Sequence, residues 1–230
     1  VPAIAACRVT HRGRESSRIA ENSLRIATVI ALPMGVGLSV LSYPIMTVIY
    51  PGSHESGPEL LMLMGAASFF VCMALMMNAV LQAGGNEKYP IYSMVIGGVV
   101  KICVNWFLVA DPHINILGAP IGTLSCYAVM CVMDYIFLCR VMPERPRLGR
   151  ILARPVLSCA AMGLSAWAVY GLAIRFIGGA EPGRLIMALC MCLAIGVAVI
   201  VYLVLVVLTR AVTFEDMKLI PKGEKLARLL

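Results

Sequence analysis

Long apolar runs separated by short polar segments make up most of the chain. A helix needs about 20 mostly apolar residues to cross the hydrocarbon core of a bilayer. Six runs reach this length, and they cover residues 24–50, 59–83, 89–110, 116–139, 151–177 and 185–208. They are longer and more continuous than the alternating segments of about 10 residues that form membrane β-barrels. The pattern therefore predicts an all-α, polytopic membrane helix bundle with six transmembrane helices.

Turn-forming residues separate the runs. The connection after the second run contains Gly84-Gly85-Asn86, and the connection after the fifth contains Gly178-Gly179. Such dipeptides are typical of turns. Inside the first run, Pro33 and Pro44 each remove a backbone N–H, so we expect a kink near each of them.

The composition excludes two other classes of protein. The chain is 60% hydrophobic and only 13% charged, whereas soluble domains average about 45–50% apolar and about 25% charged residues. One soluble core of this length does not bury so much apolar surface, and disorder requires low hydrophobicity. A bilayer is therefore the predicted environment.

The distribution of charge predicts how the helices are oriented. The net charge is +7, and 16 of the 19 Lys and Arg residues lie on one predicted side of the bundle. Two, Arg175 and Arg184, lie on the other side, and Lys101 lies within the third run. Basic residues accumulate in cytoplasmic loops, so we expect both termini in the cytoplasm. The arginines thus indicate orientation and attraction to anionic membrane lipids, and no nucleic-acid partner is predicted.

Motifs for enzymatic chemistry are missing from the sequence. The three histidines lie far apart outside the runs, and no HExxH, GxSxG or Walker A pattern occurs. The nine cysteines lie mostly in apolar runs, as small buried side chains do. We therefore predict no enzymatic activity, no metal and no cofactor. The first residue is Val1 rather than Met, which we interpret as a fragment with sequence missing upstream.

Lys101 is the charged residue that the predicted topology does not explain. Lys101 lies near the middle of the third run, and a lysine near the midplane of a bilayer costs at least about 2.5–3.5 kcal/mol on insertion scales. It should therefore face protein or a water-filled cavity. Asn105, four residues further on, shares its helix face. Two interpretations stay open. Lys101 either lines a transport cavity and attracts an anionic headgroup, or it is neutralised by Asp134 or by upstream helices and holds helices together.

Other polar and small residues within the runs indicate helix packing. Asp134 lies roughly 8 Å from Lys101 along the helix axes. It could pair with Lys101, or alternatively with Arg140. Asn78 is a candidate for interhelical hydrogen bonding or for the cavity. Gly118 and Gly122 form a ridge of small residues that favours close helix contact.

Three stretches of sequence carry a resemblance to a known family. They are residues 84–90 (GGNEKYP), 96–105 (IGGVVKICVN) and 114–123 (INILGAPIGT). They resemble polysaccharide biosynthesis proteins of the stage V sporulation protein B type. These proteins belong to the multidrug/oligosaccharidyl-lipid/polysaccharide exporter superfamily, together with lipid II flippases and MATE antiporters. The resemblance covers most of residues 1–142, and the last two runs match only by hydropathy and position.

The resemblance implies that the chain is the C-terminal part of a MATE-like transporter with fourteen helices. Residues 1–23 would be a basic cytoplasmic segment after an upstream helix, and residues 24–142 would hold four helices of the second lobe. Residues 143–208 would be two appended transmembrane helices, and residues 209–230 a cytoplasmic tail. The N-terminal lobe, which would be missing, is the implied partner.

The implied activity is the flipping of undecaprenyl-linked cell-wall or polysaccharide precursors, such as lipid II, across the bacterial inner membrane by alternating access. The implied cavity is cationic and receives a pyrophosphate-bearing headgroup. Lys101, Asn105 and Asn78 are its candidate residues, and the two appended helices would line a groove for the lipid tail. Two alternatives stay open, an ion-coupled MATE antiporter that relies on Asp134 and a non-transporting membrane scaffold.

Overall fold

Seven α-helices make up most of the computed structural model, which describes residues 13–50, 56–112, 114–142, 148–177 and 183–209. A short 3-10 turn, Asn115–Leu117, precedes the fifth helix. The helices are α1 (Gly13–Val40), α2 (Ser42–Ile49), α3 (Gly57–Ala83), α4 (Lys88–Val109), α5 (Gly118–Val141), α6 (Leu148–Ile177) and α7 (Arg184–Leu208). No strand occurs within these ranges. All but α2 are long and apolar enough to cross a membrane, which confirms the predicted all-α fold with six spans.

Helix α1 begins at Gly13, well before the apolar run that predicted it. Its first turns are amphipathic, because Ser17, Ala20 and Leu24 are buried while Glu15 and Arg18 are exposed. The second half of the predicted basic segment 1–23 is therefore helical. Residues 1–12, and all but the first residue of the predicted tail 209–230, lie outside the described residues.

A break at Leu41 separates α1 from α2. Pro44 has no N–H to donate to the carbonyl of Val40, so the helical ladder is interrupted at this point. The helix is continuous through Pro33, although this residue likewise leaves the carbonyl of Val29 without its helical donor.

The turn after α3 is a Schellman motif. The N–H of Asn86 donates to the carbonyl of Leu81 at 3.0 Å, and the N–H of Gly85 donates to that of Gln82 at 2.8 Å. Gly85 has φ 69°, a left-handed conformation in which a Cβ is unfavourable. We use this turn to name one end of the bundle the Gly85 end, and we name the other the Asn115 end.

Neighbouring helices follow the spatial order α4, α5, α3, α1, α6 and α7, and α2 packs on α3 and α7. At the Gly85 end, α1, α3, α5 and α6 share a core that includes Leu24, Met77, Leu138 and Ile151. A second core joins α1, α2, α6 and α7. The final hairpin α6–α7 therefore lies at one edge of the bundle, against α1.

Glycines bring the backbones of α1 and α3 into direct contact. A Cβ on Gly35 would lie 2.8 Å from the carbonyl oxygen of Gly65, and a Cβ on Gly65 would lie 2.6 Å from Oγ of Ser39. Ser39 also donates a hydrogen bond to the carbonyl of Met62 at 2.9 Å. In lipid, such close approach is a main source of helix association.

Substitution of Gly35 should therefore destabilise the protein more than substitution of Gly37. Gly35→Ala forces α1 and α3 apart, and overpacking of this kind costs about 1–3 kcal/mol. Gly37→Ala is the matched control, because a Cβ there has nothing within 4 Å, and alanine is the better helix former. Thermal unfolding in detergent measures both variants. Equal midpoints for the two would contradict the close contact.

Candidate functional site: polar groups inside the bundle

Lys101 lies on the face of α4 that packs against α5. Gly97, one turn before it, touches α5, since a Cβ there would lie 2.6 Å from Cγ of Met130. Asn105, one turn after it, lies against Gly122 of α5. Lys101 itself is half-buried, whereas Val99 and Ile102 are 55% and 68% exposed on the outer surface of α4. The lysine therefore points toward the helix interface rather than directly into lipid.

Lys101 has no acidic partner in the part of the chain that the structure describes. Arg25 and Glu21 form an ion pair at 3.9 Å on α1, whereas Asp134 does not pair with Lys101. Cys126 of α5 is close enough to interact electrostatically with the ammonium group. Lys101 thus lies more than two helical turns from either end of α4 without an acidic partner among the described residues.

Asn105 adds an unused acceptor to the same helix face. Its Oδ1 is buried and has no hydrogen-bond partner within the described residues. Gly122 makes room for it, because a Cβ at that position would overlap with Oδ1. One turn earlier on α5, a Cβ on Gly118 would lie 3.0 Å from Leu108. The predicted glycine ridge therefore lies in the α4–α5 contact.

Lys101, Asn105 and Gly122 together form what we call the Lys101 site. A lysine ammonium attracts anions such as phosphate, and an amide oxygen accepts a hydrogen bond from a hydroxyl or an N–H group. Both groups lie on one face of α4, one turn apart. The arrangement has the chemistry to bind an anionic, hydroxyl-rich group, and it holds no nucleophile or acid–base pair.

Asp134 forms a separate cluster with Asn78 and Ser93, which we call the Asp134 cluster. Asp134 and Ser93 are completely buried, and Asn78 is 6% exposed. With the amide oriented toward the carboxylate, Nδ2 of Asn78 donates to Oδ2 and Oδ1 of Asp134 at 3.0 and 3.1 Å. The Ser93 hydroxyl lies within hydrogen-bonding reach of Asp134 and 3.0 Å from the carbonyl of Pro90. The cluster therefore joins α3, α4 and α5.

The two polar sites are distinct. Ser93 and Lys101 lie eight residues apart on α4, which corresponds to about 12 Å along the helix. Of the three candidate cavity residues, the structure brings Lys101 and Asn105 together and places Asn78 with Asp134. Asp134 is contacted by the neutral side chains of Asn78 and Ser93 and pairs with neither Lys101 nor Arg140. Its role as a helix-packing or charge partner stays a prediction.

Ser93 is the polar residue that the sequence analysis did not assign to a site. The sequence feature that could have identified it is its spacing. Ser93, Gly97, Lys101 and Asn105 follow each other at intervals of four residues. Residues at this spacing share one helix face. The spacing does not reveal that Ser93 faces a carboxylate on another helix.

An apolar groove of about 540 Å³ lies where α6 meets α1 and α3. Val36 and Ser39 of α1, Met62 of α3 and several residues of α6 line it; the α6 residues are Cys159, Ala160, Gly163, Leu164 and Trp167. Gly163 brings the helices close, since a Cβ there would lie 3.0 Å from Val36. The groove has the shape and polarity for a hydrocarbon chain.

These features define a polytopic α-helical membrane protein with a cationic site between its helices. Residues 1–178 match the family described as Lipid II flippase MurJ. The chain therefore belongs to the lipid II flippase MurJ family, a family of transporters in the inner membrane. The match extends through α6, beyond the stretch on which the sequence resemblance rested, and α7 lies outside it. Searches of curated proteins and of solved structures each gave no match.

Removal of the Asn78 amide should lower the stability of the protein, because the buried carboxylate of Asp134 loses a hydrogen-bond donor. Asn78→Leu leaves Asp134 without its donor from α3, and an unsatisfied buried polar group costs about 1–3 kcal/mol. Thermal unfolding measures the loss. Gln82→Leu is the matched control, one turn further on α3 and exposed.

A double variant tests whether the two side chains act as a pair. Asn78→Leu combined with Asp134→Leu removes both polar partners, and such a replacement is close to neutral. We therefore expect the double variant to be more stable than Asn78→Leu alone. Additive losses would show that the two residues stabilise the protein independently.

Proposed function

We propose that the protein flips lipid-linked cell-wall precursors of the lipid II type across the membrane. The observation that carries this proposal is Lys101, a half-buried cation within a spanning helix that has no acidic partner among the described residues, in a chain of the lipid II flippase family. A charge at this position is costly unless it has a function or a partner. The pyrophosphate of a prenyl-linked precursor is an anion that such a cation attracts.

The Lys101 site serves in this proposal as part of the path of the headgroup. The ammonium of Lys101 binds the phosphate oxygens, and Oδ1 of Asn105 accepts a hydrogen bond from a sugar hydroxyl or an amide N–H. The path opens alternately to each side of the membrane as two lobes move against each other. In this scheme α1 to α5 belong to the second lobe, and both termini are cytoplasmic as the basic residues indicate.

The groove between α1 and α6 accommodates the prenyl tail in this proposal. Its lining is almost entirely apolar, so a hydrocarbon chain leaves lipid for the groove at little cost. The headgroup then crosses through the polar interior while the tail stays in an apolar environment. Separate polar and apolar paths fit a substrate with one strongly polar end and one long apolar end.

Loss of the Lys101 charge should abolish most of the translocation. Lys101→Met removes a charge-assisted hydrogen bond of about 1.5–3 kcal/mol, which corresponds to about a ten- to hundredfold slower rate. Lys101→Arg keeps the charge and should retain more activity. The measurement is the appearance of lipid II on the outer face of the membrane, at matched protein levels.

Lys88→Met is the control for the effect of charge, because Lys88 is exposed at the start of the same helix. Normal translocation by Lys101→Met would contradict the cavity role. Reduced protein abundance with normal flipping per molecule would instead support the packing role of Lys101. If the protein is an ion-coupled antiporter, its transport activity should fall on substitution of Asp134 and not of Lys101. If it is a scaffold, neither substitution should change a transport activity.

Obstruction of the groove should slow the movement of substrates with long tails. Ala160→Phe places a ring in the groove, and we expect slower translocation of the natural precursor but not of a short-tail analogue. Ala168→Phe is the matched control, since Ala168 is exposed on α6 outside the groove. Equal rates for the long-tail substrate in both variants would contradict a role of this groove.

A further inference from the structure

Two backbone carbonyls of the α1–α2 segment lack a donor within their own helices. Pro33 has no N–H, so the carbonyl of Val29, four residues earlier, has no helical hydrogen bond. The carbonyl of Val48 belongs to the last turn of α2, which ends at Ile49, and terminal carbonyls have no intrahelical partner. In hydrocarbon, a group such as the carbonyl of Val29 must find its donor within the protein.

Helix α7 supplies the donor for both carbonyls. The hydroxyl of Tyr202 donates to the carbonyl of Val29 at 2.6 Å, and Nη2 of Arg184 donates to the carbonyl of Val48 at 3.0 Å. A basic side chain at the C-terminus of α2 also interacts favourably with the helix dipole. We call these two hydrogen bonds the α7 clamp.

The α7 clamp acts near both ends of the helix. Tyr202 and Arg184 are 18 residues apart in sequence, which corresponds to about 27 Å along a helix. Two bonds at this separation fix the tilt and the rotation of α7 relative to α1 and α2.

Apolar contact alone holds α7 only weakly to α1. Helix α7 packs mainly on α6, with a smaller contact to α2, and lipid tails are as apolar as the side chains that they would replace. Tyr202 is buried at 7% exposure, and its hydroxyl also lies within hydrogen-bonding reach of Cys159 of α6. Three helices therefore meet at the carbonyl that Pro33 leaves free.

We propose that Tyr202 and Arg184 are positioning residues that fasten α7 to α1 and α2, so that α7 moves together with α1 during transport. The acceptor for the tyrosine hydroxyl is the carbonyl of Val29, whose helical donor is missing because residue 33 is proline. The consequence for transport rests on the proposed flippase activity, whereas the fastening itself does not.

A double-mutant cycle tests the fastening. Tyr202→Phe leaves the carbonyl of Val29 without a donor, so its midpoint of thermal unfolding should fall by about 2–4 °C. Pro33→Ala provides a backbone N–H for the same carbonyl, and in this background Tyr202→Phe should lower the midpoint by less than half as much. An equal fall in both backgrounds would overturn the proposal. Tyr92→Phe is the control, since Tyr92 is 55% exposed.

Transport separates positioning from stability. In the Pro33→Ala background, Tyr202→Phe removes the hydroxyl and with it the link to α7. The carbonyl of Val29 is nevertheless satisfied, because the backbone N–H at position 33 donates to it. We therefore expect slower lipid II translocation in the double variant than in Pro33→Ala alone, despite similar unfolding midpoints. Equal translocation rates would overturn the positioning role. If the wild-type protein moves no lipid II, the proposed function fails while the unfolding cycle still tests the fastening.

The second bond of the clamp has its own matched pair of variants. Arg184→Met removes the donor to Val48 and should slow translocation, and Arg184→Lys should restore part of the rate because it keeps a cationic donor. Arg175→Met is the control, because Arg175 is an exposed basic residue in the last turn of α6 at the same end of the bundle. Equal rates for Arg184→Met and Arg175→Met would overturn the role of Arg184.

Discussion

Hydrocarbon offers no hydrogen bonds, so each polar group inside a bilayer must find its partner within the protein. This constraint explains why the backbone is helical wherever it spans, and it also explains the contacts between helices. Pro33 leaves the carbonyl of Val29 without a donor in α1, and Tyr202 of α7 donates to it. Asp134 is completely buried, and Asn78 and Ser93 from two other helices surround it with neutral hydrogen-bonding groups. Local gaps in hydrogen bonding are thus filled by contacts across the bundle.

Small residues determine where the helices can make these contacts. Gly35 and Gly65 allow the backbones of α1 and α3 to touch, and Gly122 leaves room for the amide of Asn105. Apolar side chains do not drive helices together in lipid as they do in water, so close packing and polar contacts have greater weight. The glycines and the buried polar residues therefore act together, because close approach of the helices permits hydrogen bonds between them.

Lys101, by contrast, has no acidic partner in the part of the chain that the structure describes. Asp134, an acidic residue that could have neutralised it, contacts α4 about 12 Å further along the helix and is engaged there with Asn78 and Ser93. The Oδ1 of Asn105, on the same face of α4, also has no partner in the described part of the chain. An unpaired cation beside an unused acceptor is costly for stability, and such a cost is typical of binding sites. For this reason, the proposed function assigns the substrate headgroup to the Lys101 site.

Length and composition of the apolar runs were sufficient to predict six spanning helices and the turn at Gly85, because helical hydrogen bonds join residues only four positions apart. The same local spacing placed Lys101 and Asn105 on one face. The sequence did not reveal that α1 begins at Gly13, since polar side chains there hide an amphipathic pattern. Nor did it reveal that Asn78 belongs with Asp134 or that Tyr202 meets Val29. Those pairs are 56 and 173 residues apart, and only the packing of the helices decides which faces meet.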